Sequence, residues 1–331
     1  MNPDAPSDRA TVPRGPERAR RPRPAGLDPR VRTLRWLSLA TVVATYLLLV
    51  LGSTVRVTDS GMGCPGWPLC SGKVGPISQF HPLMEQSHRY LATIVTVLIV
   101  LVALLARRAG RVARPVVGPA TAGVAMIAVQ VVLGAITVFA NNAPFTVALH
   151  LVVGLGFLGV VTLSAVATFA PADGSWSALR DRPAIGWAAL GALATVIVSG
   201  TLVVDGGAQD ACRSRPLCFG SHASDGLVAI QLIHRGVVLV GATLVVVFLV
   251  GALRSSRASS ASRGLAVAGL ALLCSQIAVG LVDASLGAPA GLADVHLALG
   301  SALWCVLVGA VALARAPGAA RQRAKVLRPA L

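Results

Sequence analysis

Four of the six histidines fall inside long apolar stretches: His88, His150, His234 and His296. An ionisable side chain in such a stretch is costly and marks a functional site by default. The four form two pairs, and a shift of about 146 residues carries one pair onto the other. Two histidines facing each other across a helical bundle have the geometry of bis-imidazole haem ligation. A lone histidine in an apolar helix is more often a satisfied polar contact. Duplication and matched position argue against that for all four. Zinc is the competing metal, but it would want further Cys, Asp, Glu or His ligands at each site. The only additional acid, Glu85, occurs in one half.

The duplication is informative where it breaks. The first half reads Glu85-Gln86-Ser87-His88-Arg89 and the second Gln231-Leu232-Ile233-His234-Arg235. Residues three apart share a helix face, so Glu85 lies on the side of His88. A carboxylate beside a haem can take protons, whereas the amide of Gln231 cannot at neutral pH. The first half is therefore the catalytic candidate, and the second holds a fixed haem for electron transfer or structure. Against this, Glu85 could simply begin a helix, where the dipole favours acids. Arg89 and Arg235 follow the histidines and suit the carboxylates of haem propionates. Interfacial snorkelling is the plainer reading of both.

Cys64 and Cys70 recur as Cys212 and Cys218, here at a shift of 148. Both pairs lie between apolar stretches on what is expected to be the oxidising side, where disulfides persist. A disulfide within each loop is expected, although four cysteines allow three pairings. Cys274 and Cys305 are expected to be buried, apolar residues. His81 and His222 read as ordinary loop residues. Asp59 and Gly61 recur as Asp205 and Gly207 at the shift of 146.

The elements that must position these residues are membrane helices. The chain has 331 residues, of which 55% are hydrophobic and 13% charged. That charged share is about half the soluble norm. Mean hydropathy is +0.74. Eight apolar stretches are long enough to cross a bilayer core: 34–55, 85–106, 116–140, 146–170, 184–204, 227–253, 264–286 and 292–314. They lack period-2 alternation, so they are helices and not barrel strands. The formal charge of +16 first suggests nucleic acid. Its distribution argues otherwise. With the N-terminus inside, 23 of the 29 basic residues fall on one side. This places both termini in the cytoplasm of a multi-pass protein of the cell membrane, in contact with lipid and not with nucleic acid.

Residues 1–33 are a basic, disordered tail with no cleavable leader pattern. Residues 34–170 and 184–314 are two four-helix halves joined by a cytoplasmic linker at 171–183. Residues 315–331 form a second basic tail. Four spans per half give both halves the same orientation, so the expected pseudo-twofold axis runs along the membrane normal. All four histidines then lie near the outer ends of the even-numbered spans.

Together these features resemble the haem A synthase family, over about Leu34–Ala314. The resemblance is carried by eight spans in two halves, one histidine in each even span, the Glu-x-x-His-Arg motif at Glu85–Arg89 and a paired-cysteine loop in each half. It implies oxidation of the C8 methyl of haem O to the formyl group of haem A, in two steps with water as oxygen source, for haem-copper oxidase biogenesis. It also implies that His88 and His150 bracket the substrate haem, that His234 and His296 ligate haem B, and that Glu85 is needed for turnover. The implied partners are haem O, haem A, a haem O synthase and an electron acceptor that the sequence does not identify. A homo-oligomer is compatible with the sequence. The competing readings are a di-haem cytochrome that only moves electrons, of quinol or ferric reductase type, and a parallel-repeat transporter. The first predicts equivalent halves, and the second predicts broken spans with midplane polar groups.

Overall fold

The computed structural model describes residues 28–314 except 73, 75–76, 170–182, 213–217, 219–222, 257 and 288. Residues 1–27 of the first tail, the second tail and most of the linker therefore lie outside the described residues, as does His222, while 29–33 of the expected tail are helical. The described residues form eight long helices and no strand. These are α1 (Pro29–Val57), α2 (Phe80–Arg108), α3 (Arg114–Phe139), α4 (Pro144–Ala167), α5 (Ala184–Asp205), α6 (Asp225–Arg254), α7 (Ser260–Leu286) and α8 (Ala290–Leu313). Each is long and apolar enough to cross a membrane.

Several helices begin before the apolar stretch does. α1 starts at Pro29, where Asp28 accepts a hydrogen bond from the Arg30 N–H. Proline at the first helical position suits this start. α2 starts at Phe80, so His81 lies in its first turn and not in a loop. Within the helices, Thr41, Thr45, Thr54 and Thr96 donate to carbonyls one turn back. Those hydroxyls are thus satisfied without water. α7 is capped by Ser259 and stopped by Gly287, whose φ of 76° is left-handed.

Helices α1 to α4 pack in a closed ring of neighbours, and α5 to α8 do the same. The first bundle core includes Val95, Ile99, Val102 and Phe157. The second includes Phe248, Leu249, Leu303 and Leu307, and it also takes in Leu155 of α4. The bundles meet through α1, α4, α5 and α8. Hydrogen bonds between main chain and side chain cross this seam. Trp304 Nε1 donates to the Leu155 carbonyl at 3.0 Å, and Tyr46 donates to the Ala298 carbonyl at 3.3 Å. A Cβ on Gly159 would lie 3.2 Å from Trp304 Nε1, so the small residue admits the indole.

The free cysteines differ from expectation. Cys274 is exposed on the surface of α7 and Cys305 is half-buried. α7 sits at the periphery, and a small apolar side chain is as acceptable to lipid as to a core.

Candidate active site

Each of the four histidines rests on a glycine of the preceding helix. An ideal Cβ on Gly52 would lie 2.9 Å from His88 Cε1, and one on Gly134 would lie 3.5 Å from His150 Cε1. In the second half the corresponding distances are 3.3 Å for Gly200 to His234 and 2.6 Å for Gly280 to His296. A methyl at Gly52 or Gly280 would push its ring from its seat, at Gly200 the ring would have to give slightly, and at Gly134 the methyl would sit in ordinary contact. Helix rise sets all four histidines about 9 to 14 Å in from the start of their helices. They share one end of the molecule with the cysteine loops.

The rings differ in what fixes them. Ser199 Oγ donates to the Val196 carbonyl and lies 2.8 Å from His234 Nδ1. A hydroxyl has one proton, so Nδ1 of His234 is the donor here and its Nε2 carries the lone pair. His296 Nε2 lies 3.1 Å from the Gln276 amide nitrogen, which again puts the lone pair on Nε2. Nδ1 of His150 and His296 is buried with no hydrogen-bond partner among the described residues, and His88 faces the Leu48 backbone. Imidazoles paired between helices and seated on glycine, with an accepting Nε2 at His234 and His296, fit axial ligation of a haem iron. Among the described residues no three His, Cys, Asp or Glu side chains converge, so the zinc geometry is not met.

A cavity of about 1210 Å³ opens beside the first pair. It is lined by His88, His150, Glu85, Gln86 and Arg89 of the first half, and by Thr201, Asp205 and Leu297 of the second, among others. That volume exceeds the usual range for small-molecule pockets, about 300–1,000 Å³, and suits a large ligand.

Glu85 lies six residues into α2 and is buried at 4% exposure. It does not begin the helix, which removes the dipole as its reason for being there. Oε2 accepts from the Cys64 N–H at 2.8 Å, and Oε1 is ion-paired with Arg89. Next to it, Gln86 Oε1 accepts from the Cys70 N–H at 3.0 Å. Arg89 Nη1 donates to the carbonyls of Gly66 and Pro68. The start of α2 therefore clamps the first cysteine loop. In the second half Gln231 occupies the place of Glu85 and donates to the carbonyls of Ala208 and Gln209. Arg235 donates to the Cys212 carbonyl and contacts Cys218 Sγ. The loops are closed by Cys64–Cys70 and Cys212–Cys218, each bond within its own loop. Both arginines thus hold atoms of the cysteine loops. His81 Nδ1 lies 2.9 Å from the buried Ser60 Oγ, also supporting that loop.

The repeat needs one correction. Ser60 N–H bonds to the Val55 carbonyl and Gly63 N–H to that of Ser60. Ala208 and Ala211 make the same bonds to Val203 and Ala208. α1 and α5 end at Val57 and Asp205. The first helix and cysteine loop of each half therefore correspond at 148, not 146. Asp205 is the counterpart of Val57, and Gly207 that of Asp59. The second loop is two residues shorter, which restores 146 by His234.

Gly52 and Gly200 escape a search at 146 for this reason. The pairing of Arg56 with Asp205 escapes it too. They form an ion pair between the ends of α1 and α5, and no local pattern links residues so far apart in sequence.

Comparison with known proteins agrees with this arrangement. The family described as Cytochrome oxidase assembly protein matches residues 35–308. The chain belongs to this family. Heme A synthase of Geobacillus thermodenitrificans is 28% identical over 238 residues, covering 68% of this chain and 73% of that protein. Heme A synthase of Shouchella clausii is 29% identical over 239 residues, covering 68% of this chain and 78% of that protein. A Protoheme IX farnesyltransferase of Haloarcula marismortui is 35% identical over 136 residues, 40% of this chain but only 28% of that protein. Family membership makes the chain a multi-pass membrane oxidoreductase, in line with the resemblance read from its motifs.

Proposed function

We propose that this chain is a haem A synthase: it oxidises the C8 methyl of haem O to a formyl group in two successive steps, water supplying the oxygen. The observation that carries this reading is the cavity that joins His88, His150 and a buried carboxylate, set against a second histidine pair with an amide in that carboxylate's place. In the proposal His88 and His150 bracket the substrate, and His234 and His296 hold a resident haem B. Bound haem iron supplies the one-electron chemistry that removes electrons from the methyl carbon. Each step consumes one water and releases two protons and two electrons; Glu85 accepts one of the protons and passes it on before the next step, and the electrons go to the acceptor. A carboxylate has about four acceptor sites and two are used by Cys64 and Arg89, so it keeps capacity toward the cavity. Gly52 and Gly134 orient the two rings, and the clamped cysteine loop lines the cavity through Trp67, Pro68 and Leu69. The equivalence at 148 and 146 supports two pseudo-twofold-related halves, 34–170 and 184–314, with both termini cytoplasmic.

The printed name of the Haloarcula relative describes farnesyl transfer to protohaem IX. A segment like this chain within such a protein supports a haem O synthase as the physical partner that delivers substrate. Oxidation also requires an electron acceptor.

The test is expression together with a haem O synthase, followed by extraction and chromatography of the haems. Haem A, or its alcohol intermediate, is expected. Folded, haem-loaded protein that yields neither overturns the proposal.

A further inference from the structure

We infer that Arg56 binds a carboxylate of the haem substrate in the first-half cavity, with Asp205 of the other half holding its guanidinium in place. The inference rests on that cavity being the substrate site.

Among the described residues two arginines line the cavity, Arg56 and Arg89. Arg89 faces Glu85 and two loop carbonyls, Gly66 and Pro68, and its terminal nitrogens are taken. Arg56 has one protein partner, Asp205, reached through Nη2. Its Nε and Nη1 donate to no protein atom among the described residues, and neither is sealed from the cavity. A guanidinium offers five N–H groups on separate edges, so it can keep one carboxylate on Nη2 and take a second on the Nε and Nη1 edge. Asp205 is therefore a positioning residue and not a competitor. It is the less exposed of the two, at 11% against 24%, so the carboxylate anchors the arginine.

Position in the repeat makes the cation specific to one site. At the shift of 148, Arg56 corresponds to Val204 and Asp205 to Val57. Neither half has a second copy of the pair, and both valines also line the first-half cavity. A porphyrin with two propionates presents the matching chemistry: a flat apolar body that needs a fixed cation at one edge. Asp59 is the remaining charged group on the lining. Its negative charge adds to the need for an oriented donor.

The experiment compares ferric protoporphyrin IX with its dimethyl ester. The full chain is purified in detergent from haem-supplied cells, and each probe is titrated by its Soret band. Arg56→Gln is expected to weaken the diacid by roughly ten- to a hundredfold, the range for charge-assisted hydrogen bonds, and to leave the diester unchanged. Arg56→Lys should recover part of the loss. Asp205→Asn should weaken the diacid alone, because the guanidinium loses its orientation. Equal changes for both probes, or no change for either, overturn the inference. If Arg56→Gln does not fold, the ratio of diacid to diester affinity in the lysine and asparagine variants decides by the same rule. If the wild type takes up neither probe, the first-half substrate site itself is wrong, and this inference falls with it.

Discussion

Glu85 can be exchanged for glutamine without dismantling its surroundings, because the second half already folds with Gln231 in that place. Arg89 would keep its bonds to Gly66 and Pro68, and the new amide oxygen can still accept from Cys64. Glu85→Gln is therefore expected to leave thermal stability within about 1 kcal/mol of the wild type while abolishing haem A formation. Normal product from that variant would remove the carboxylate from the mechanism. The glycine seats give a second test. Gly280→Ala puts a methyl 2.6 Å from His296 Cε1, so the bis-imidazole spectrum assigned to the second half should be lost. Gly264→Ala, in open space on the same helix, should leave it intact. The histidines and the Glu85/Gln231 contrast could be read from the chain because ionisable groups are rare in apolar helices. The seats under them could not, since one glycine of 34 carries no mark of what it touches.

At the scale of elements, α2 does more than carry a ligand. Its first turns grip the cysteine loop through Glu85, Gln86 and Arg89, so loop and ligand helix form one unit. Gln86→Ala would leave the buried Cys70 N–H unpaired, a cost of about 1–3 kcal/mol. Faster reduction of Cys64–Cys70 than of Cys212–Cys218 is the expected readout, and equal rates in the variant would show that the loop is held by other means. Apolar runs located all eight helices, but helix ends extend past them. Backbone hydrogen bonding continues into flanks such as Pro29–Thr33, where charged side chains reach away from lipid. Hydropathy measures burial in lipid, while helix length also depends on caps such as Asp28.

For the whole molecule, the seam between bundles combines hydrogen bonds, small residues and the apolar side chain of Leu155, which joins the core of the second bundle. Trp304→Phe removes the bond to the Leu155 carbonyl and should lower unfolding stability in detergent by about 1 kcal/mol. An unchanged unfolding curve would mean the seam is held by packing alone. No pattern in the chain announces this seam, because Trp304 and Leu155, or Arg56 and Asp205, become neighbours only when complete halves meet. One helix belongs to both sides of it. α8 carries His296 in the second half, while its Ala290, Ala293 and Leu297 form part of the wall of the first-half cavity. A change at the seat of His296, such as Gly280→Ala, would therefore reach the other half's cavity through a helix the two share.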